Sequence, residues 1–273
     1  MPEAPEVQTV ISTLASQIKD STIVDVTVYY DKILETEDFV NKIKGQSFLS
    51  FSRIGKYLIF TTEKYDFVVH LRMEGKFYIM DTFPKDLKHI HVIFHLDDGR
   101  YLCYHDTRKF GRMALYDKVD NKYDCPALKN VGWDVLDDRF NAMYFYNKIH
   151  KSNRNLKTAL LDQSIQAGIG NIYADEICFM SRLDPRSRCS RLSKKDCEKI
   201  VEMTKYIIKG AIKAGGTTIR SYTSSLGVTG LFQLQLHVHT KKDEPCEICH
   251  NKIIKTVIAS RGTYICTHCQ KRK

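Results

Sequence analysis

The stretch Cys246-Glu247-Ile248-Cys249, followed after sixteen residues by Cys266-Thr267-His268-Cys269, organises the C-terminal end of the chain. Two residues separate the cysteines of each pair, a spacing with which each tight turn supplies two thiolates to a tetrahedral zinc ion. The alternatives are two disulfides or free thiols, and a reducing compartment disfavours the disulfides. We therefore expect one structural Zn²⁺ on Cys246, Cys249, Cys266 and Cys269, and no organic cofactor.

The segment between the cysteine pairs reads as a β-hairpin. Residues 253–258 and 264–265 alternate apolar and polar side chains and predict two strands, joined by residues 259–263. Arg261 then lies at the tip of the hairpin, where its guanidinium can reach a phosphate.

Charge is distributed unevenly along the 273 residues, whose net charge is +10. Residues 1–150 hold 20 Lys and Arg against 22 Asp and Glu, whereas residues 151–273 hold 22 against 10, so the second part carries +12. Clustered cations gain affinity for a polyanion by releasing counterions from its phosphates. A nucleic-acid partner for the second part is one interpretation, and a solvated basic face is the other.

Composition narrows the class of protein. A content of 43% apolar and 11% aromatic residues excludes a disordered chain. No apolar run approaches the roughly 18 residues of a membrane span, and the start of the chain lacks a basic region leading into an apolar one. The remaining cysteines, Cys103, Cys125, Cys178, Cys189 and Cys197, follow no pattern. We expect them to be reduced thiols in a cytoplasmic protein without a membrane partner.

Periodicity divides the chain into a β-rich part and a helical part. Apolar residues from Val7 to Ile18 recur at helical spacing after Pro5, and short β-rich runs fill residues 22–105. Asp98-Gly99 predicts a two-residue hairpin turn. Helical patterns return at residues 141–150, 156–161, 172–180 and 194–214.

The first residues carry a possible nucleophile. Methionine is normally removed before proline, and Pro2 then has a secondary amine that can attack a sugar C1′ to form an iminium, with Glu3 beside it to move protons. Taken alone, Met-Pro-Glu is more often without a chemical role.

Five motifs, the first of which extends this one to Val7, reverse that judgement. Together they resemble the formamidopyrimidine-DNA glycosylase/endonuclease VIII family over nearly the whole chain. In chain order they are Met1-Pro2-Glu3-Ala4-Pro5-Glu6-Val7, Gly55-Lys56-Tyr57-Leu58, His70-Leu71-Arg72-Met73, Asp106-Thr107-Arg108-Lys109-Phe110-Gly111 and Gly168-Ile169-Gly170-Asn171-Ile172-Tyr173-Ala174-Asp175-Glu176.

The resemblance implies an α+β fold with three parts. Residues 1–131 would form an N-terminal β-sandwich catalytic domain flanked by helices, residues 132–238 a helical helix–two-turns–helix DNA-binding domain, and residues 239–273 a zinc-finger β-hairpin.

The same resemblance assigns catalytic roles. It implies that Pro2 is the Schiff-base nucleophile, Glu3 the proton donor, Lys56 an acid/base group for β-elimination, and Arg261 a residue for δ-elimination and phosphate binding. For Lys56 the alternative from the residues alone is a solvated strand lysine.

Further residues are implied to contact DNA. The glycines before Asn171 allow backbone amides near a phosphate, and Asn171 can donate to it from its side chain, although a plain turn between helices is equally typical of such a sequence. Met73, Arg108 and Phe110 match positions that fill the space left by an extruded base, where core packing is the alternative. His70, His89, Lys151 and Lys157 match family contacts to DNA, but exposed lysines and strand-edge histidines are common.

Three departures from the family pattern leave substrate preference open. Ala4 stands where leucine is usual, Arg72 where glycine is frequent, and His239-Thr240-Lys241 where tyrosine-glycine-arginine is usual.

The resemblance favours a bifunctional DNA glycosylase/AP lyase of base excision repair. Residues 215–233 resemble a loop that covers a flipped oxidised purine, which favours 8-oxoguanine and formamidopyrimidines as substrates. Alternatives are an endonuclease VIII-like enzyme for oxidised pyrimidines and a noncatalytic zinc-ribbon DNA-binding protein. We expect a monomer whose partner is double-stranded DNA containing damaged bases.

Overall fold

The computed structural model describes residues 1–217 and 231–273. These residues fall into two compact units, one holding residues 1–130 with 215–217, the other holding residues 131–214 with 231–273. Within the described ranges, no helix combines the length and the apolar character needed to cross a membrane.

The first unit begins with helix α1 (Ala4–Ile18), which has a proline in its first turn. The apolar residues that predict it, Val7, Val10, Ile11, Leu14 and Ile18, are all buried. The predicted helix is therefore confirmed. A short helix, α2 (Phe39–Ile43), follows later in the chain.

Two four-stranded antiparallel sheets form the body of this unit. The strands are β1 (Ile23–Val28), β2 (Ser50–Ile54), β3 (Tyr57–Thr61), β4 (Tyr65–His70), β5 (Lys76–Met80), β6 (Ile90–Leu96), β7 (Tyr101–His105) and β8 (Arg112–Asp117). One sheet has the order β1-β6-β7-β5 and the other β2-β3-β4-β8.

An apolar core with a chain of aromatic rings joins the two sheets. Phe67 on β4 lies 5.5 Å from Phe94 on β6 and 5.2 Å from Phe60 on β3, measured between ring centroids. All three rings are fully buried, and buried residues of α1 belong to the same core. The β-sandwich implied by the resemblance is confirmed.

The hairpin between β6 and β7 is confirmed, but its turn is longer than predicted. The backbone N–H of Leu96 donates to the carbonyl of Arg100 at 2.9 Å, which leaves residues 97–99 as the loop. Gly99 has φ +86°, the left-handed residue of a three-residue hairpin. The Asp97 carboxylate in this loop accepts the N–H of Thr22 at 3.0 Å.

The second unit contains helices α3 (Ala142–Ile149), α4 (Leu156–Leu161), α5 (Asn171–Met180) and α6 (Lys194–Lys213). The Asn141 side chain caps α3, and Ser193 caps α6 in a reciprocal box with Asp196. Two short parallel strands, β9 (Trp133–Asp134) and β10 (Gln166–Ala167), lie beside each other. The predicted helices are confirmed to within one residue at each end.

The zinc segment forms the predicted hairpin with a tighter turn. Its strands are β11 (Ile254–Ile258) and β12 (Arg261–Ile265), and Ile258 pairs with Arg261. The loop is therefore two residues long, not the predicted five. Ala259 and Ser260 have φ +48° and +59°, as a two-residue turn that follows strand twist requires. Arg261 is the first strand residue after the turn, and it is exposed.

Candidate functional site

The N-terminal segment is held in place by a buried glutamate. Pro2 and Glu3 are buried immediately before α1. The carboxylate of Glu6 accepts the backbone N–H of Glu3 at 2.9 Å, and it also accepts the N–H of Thr217 at 2.7 Å and its hydroxyl at 3.0 Å. Glu6 thus fixes the backbone next to Pro2. Sequence reasoning missed this role, although a Glu three residues after a helix cap was a signal for it.

Lys56 lies in the turn between β2 and β3, and this turn is tied to α1. Gly55 has φ +59°, a conformation that favours glycine. The guanidinium of Arg53 donates to the Gly55 carbonyl at 2.7 Å and to the Gln8 side chain at 3.2 Å. Lys56 is buried, so the interpretation as a solvated strand lysine is wrong for this position.

His70 is a neutral hydrogen-bond donor at physiological pH. Burial, together with the positive charges of Arg72 and Lys56, lowers the pKa of His70 to about 3. Its Nδ1 accepts the backbone N–H of Arg72 at 3.0 Å, so the ring proton is on Nε2. A neutral N–H of this kind can donate to a phosphate oxygen without carrying charge into the site.

Met73 follows a residue with unusual backbone geometry. Arg72 has φ +55°, which explains why glycine suits this position and shows that arginine occupies it at some conformational cost. Met73 is half-buried. Gly75, two residues later, packs so closely against the Tyr104 hydroxyl that a Cβ there would overlap it.

Arg108 and Phe110 project from a turn organised by Asp106. The fully buried Asp106 carboxylate accepts the backbone N–H groups of Arg108, Phe110 and Gly111, each at 2.9 Å. Phe110 is 47% exposed, so core packing is wrong for this residue. The Arg108 guanidinium lies 4.7 Å from the centre of its ring. The role of Asp106 was missed, although Asp before a tight turn is a recognised signal.

Two other residues that were predicted to contact DNA, His89 and Lys151, are at least partly exposed. His89 has φ +65°, is half-buried, and its ring lies 5.6 Å from that of His105. Lys151 is exposed just after α3.

Lys157 requires a correction. Its ammonium group is fully buried and donates to Asp175 at 2.7 Å, to the Thr263 hydroxyl at 2.8 Å and to the Gly262 carbonyl at 3.0 Å. An ammonium has three protons, and these bonds use all of them. A direct contact from Lys157 to DNA is therefore inconsistent with the structure, since exposure was assumed where an internal ion pair exists.

Asn171 and Arg261, both predicted to contact phosphate, meet at one place in the second unit. The Asn171 amide donates to the carbonyl of Gly262, next to Arg261, at 3.0 Å. Within the described residues, its buried Oδ1 has no hydrogen-bond partner. The neighbouring Asp175 and Glu176 were also missed: Glu176 accepts the backbone N–H groups of His237, Val238 and His239 at 2.8–3.0 Å.

The four cysteines form a structural zinc site. Their sulfur atoms all lie within 4.8 Å of one another, with Cys249 to Cys266 at 3.4 Å and Cys246 to Cys269 at 3.9 Å. Four thiolates about 2.3 Å from one tetrahedral Zn²⁺ would be about 3.8 Å apart, so the cluster fits the ion. All four positions are filled by protein, which leaves no position open for catalysis.

The other cysteines have no sign of reactivity. All five are buried and free. Burial raises the pKa of Cys103 and Cys189 to about 11 and that of Cys197 to about 12. That these thiols are reduced in the cell stays a prediction.

Part of the predicted lesion loop, residues 215–233, lies outside the described residues. Only its first three and last three positions belong to the described ranges. The expectation that it covers a flipped purine stays a prediction.

Comparison with known proteins identifies the family. Family models match for the formamidopyrimidine-DNA glycosylase N-terminal domain at residues 1–113, its H2TH domain at 131–223, and the zinc finger found in FPG and IleRS at 243–272. The chain is 41% identical to the formamidopyrimidine-DNA glycosylase of Oceanobacillus iheyensis, over 100% of this chain and 99% of that one.

Solved structures of the same family are also similar to this chain. The wild-type Lactococcus lactis Fpg, in complex with DNA containing N7-benzyl-Fapy-dG, is 33% identical with a TM-score of 0.91, covering 99% of this chain and 100% of that one. The complex of the same enzyme with abasic-site DNA gives the same values. The chain belongs to the formamidopyrimidine-DNA glycosylase family.

Proposed function

We propose that this protein is a bifunctional DNA glycosylase/AP lyase of base excision repair, excising 8-oxoguanine and formamidopyrimidines from double-stranded DNA. The observation that carries the proposal is the buried Pro2-Glu3 pair at the start of α1, clamped by Glu6. Family membership supports the same reaction.

The proposed first step uses the amine that Pro2 acquires when Met1 is removed. Its nitrogen lone pair attacks C1′ of the damaged nucleotide, a C–N bond forms, and the bond from C1′ to the base breaks. The base leaves with the bonding electrons and takes up a proton. The amine then loses its proton as the sugar ring opens to an iminium, and O4′ gains one. Glu3, adjacent in sequence, is the group proposed to move these protons.

The proposed second step cleaves the strand. Loss of the C2′ proton, with Lys56 as the acid/base group, expels the 3′ phosphate by β-elimination. Arg261 is proposed to bind phosphate and assist the δ-elimination that expels the 5′ phosphate. The exposed position of Arg261 beside a tight turn supports a phosphate contact.

Other residues are proposed to hold DNA in the extruded state. Met73, Arg108 and Phe110 fill the space left by the flipped base, and the exposure of Phe110 supports such a role. His70, His89, Asn171 and Lys151 are proposed to contact the backbone. The zinc ion supplies no chemistry beyond holding the hairpin.

We also propose a role for each part of the chain and a location in the cell. Residues 1–131 would carry the nucleophile, residues 132–238 grip DNA, and residues 239–273 present Arg261. The protein is proposed to act as a monomer in the cytoplasm, on nucleoid DNA, and its reduced thiols agree with that location.

Borohydride trapping on duplexes with one lesion tests the nucleophile. Met1-processed protein should form a reduced covalent adduct through Pro2, and protein retaining Met1 should not, because an amide nitrogen cannot form an iminium. Pro2→Gly should retain some lyase activity with much less base excision, and Glu3→Gln should bind DNA without excision. An adduct on Lys56, or on any residue except Pro2, contradicts the assignment.

A lesion panel tests the substrate class. We expect 8-oxoguanine opposite cytosine to be cleaved faster than thymine glycol opposite adenine. The reverse order would indicate an endonuclease VIII-like specificity. Binding without any adduct would indicate a noncatalytic DNA-binding protein.

A further inference from the structure

A buried polar network in the second unit connects two helices to the zinc hairpin. The Lys157 ammonium on α4 and the Asp175 carboxylate on α5 are both fully buried and 2.7 Å apart. Isolated charges are costly to bury, and such pairs persist where further hydrogen bonds satisfy the remaining donors and acceptors. Here the further partners come from the hairpin and from His239.

The hairpin side of the network consists of two backbone carbonyls and one hydroxyl. Lys157 donates to the Gly262 carbonyl and to the Thr263 hydroxyl, and that hydroxyl donates in turn to the carbonyl of Arg261 at 3.0 Å. Asn171 donates to the same Gly262 carbonyl. The Gly262 carbonyl is therefore held by side chains of both helices and the Arg261 carbonyl by Thr263, while the Arg261 side chain is exposed.

His239 completes the network from a third segment. Its Nδ1 lies 2.8 Å from the second carboxylate oxygen of Asp175, and an acceptor at that distance requires the proton to be on Nδ1. Its ring packs edge-on against Tyr264 of β12, with centroids 5.0 Å apart. Its backbone N–H is fixed by Glu176 at 2.8 Å. His239 is one of the positions where this chain departs from the family pattern, and its imidazole is the part of the network that this departure supplies.

We propose that Lys157, Asp175, His239 and Thr263 together act as positioning residues for Arg261, holding its backbone so that the guanidinium is presented to a phosphate oxygen of damaged DNA. This inference rests on the proposed function. Ordering the backbone before DNA arrives removes an entropic cost from binding. In this arrangement Lys157 acts on DNA through Arg261 and does not touch DNA itself.

The sharpest variants are conservative and paired. Thr263→Val keeps the β-branched shape but removes the hydroxyl between Lys157 and the Arg261 carbonyl, whereas Thr263→Ser keeps the hydroxyl. His239→Phe keeps a ring against Tyr264 but loses the donor, whereas His239→Asn keeps a donor near the position of Nδ1. Each pair separates the hydrogen bond from the packing.

The experiment is a double-mutant cycle with Arg261→Ala, using the full zinc-loaded protein. Affinity is measured for a duplex containing tetrahydrofuran in place of the nucleotide, and zinc content and thermal midpoint are measured for every variant. We expect Thr263→Val and His239→Phe to weaken binding about tenfold when Arg261 is present and less than about twofold in Arg261→Ala, since residues of one network couple. Thr263→Ser and His239→Asn should stay within about threefold of the parent, as partial rescue by the retained donor implies.

Two results overturn the proposal. If the variants lose equal affinity with and without Arg261, the network has only a structural role. If Thr263→Val and His239→Phe lose no affinity, the network has no role in DNA binding. Failure of the parent protein to prefer tetrahydrofuran DNA or to give a borohydride adduct would instead reject the proposed function.

Discussion

Replacing Asp106 by asparagine should loosen the turn that presents Arg108 and Phe110. One carboxylate oxygen accepts the backbone N–H groups of Phe110 and Gly111, and the other accepts that of Arg108. Asparagine can keep only one of these oxygens. With its oxygen facing Phe110 and Gly111, its NH₂ group would face the N–H of Arg108, donor against donor.

The structure sets the size of the effect. A buried hydrogen bond to a charged group contributes about 1.5–3 kcal/mol, and the two remaining bonds weaken as their acceptor becomes neutral. We expect a loss of about 3 kcal/mol in the free energy of opening this turn. Asp86→Asn is the matched control, because Asp86 is exposed and accepts one N–H, that of Lys88 at 2.8 Å. Its effect should be about 0.5 kcal/mol or less.

Amide hydrogen exchange resolved at residues 108–111 is the suitable assay. The single tryptophan, Trp133, is not part of this turn, so amide exchange is the more direct probe. In Asp106→Asn, exchange at these amides should accelerate by about a hundredfold, given that 1.4 kcal/mol corresponds to a factor of ten. Base excision should fall more than cleavage at a preformed abasic site. Unchanged exchange at residues 108–111 in Asp106→Asn would refute the reasoning, and so would an equal acceleration at these amides in Asp86→Asn.

Three further predictions concern separate features. Alanine at Met73, Arg108 or Phe110 should slow excision of a damaged base more than cleavage of an abasic site, which has no base to extrude; equal losses would argue against a wedge. Removing zinc with a chelator should abolish exchange protection in the hairpin and weaken DNA binding, because metal binding supplies the folding free energy of such a short segment; protection that survives in metal-free protein would contradict this. The pKa of His70 is about 3 in the folded chain against 6.5 ordinarily, so only the unfolded chain binds this proton between those values. Stability should therefore fall as pH drops from 6.5 towards 3, and urea midpoints should show a shallower fall in His70→Gln; identical pH profiles would count against it.

Patterns local in sequence predicted most of the fold. Helical spacing in α1, the helical pattern at residues 194–214 and the cysteine spacing of the zinc site depend on residues a few positions apart, and all three were predicted from the chain. The lengths of the two hairpin turns were not predicted. Asp97 bonds to Thr22, 75 residues away in sequence, and no local pattern indicates such a contact. Ala259 and Ser260 take left-handed conformations that neither residue type favours, so sequence gave no sign of a two-residue turn.

Burial of a charge was the main feature that the sequence concealed. Lys157 lies in a motif that matches a DNA-contacting position, and a lysine in a basic half is ordinarily exposed. Its true partners, Asp175 and Thr263, are 18 and 106 residues away in sequence, so no local pattern marks the pair. Glu6 was missed for the same reason, because the residue that donates to it, Thr217, lies 211 residues further along the chain.

The missed residues share one physical logic. Glu6, Asp106 and Glu176 are buried carboxylates, and each accepts at least two backbone N–H groups from residues outside the named helices and strands. Segments that must reach a ligand cannot be fixed by burying their own side chains in a core. A carboxylate beneath the segment fixes the backbone through charge-assisted bonds, as Asp106 does beneath the exposed Phe110.

The pKa of Glu176 shows how burial and hydrogen bonding oppose each other in such a carboxylate. Burial raises its pKa, because removing a carboxylate from water disfavours the charged form, while the N–H groups of His237, Val238 and His239 oppose that rise. Loss of one N–H contact would therefore both free the segment and weaken the remaining bonds, since the carboxyl would protonate more readily. Such a clamp holds all its bonds or loosens as a unit, so the position of His239, and with it the network around Arg261, depends on Glu176 remaining charged.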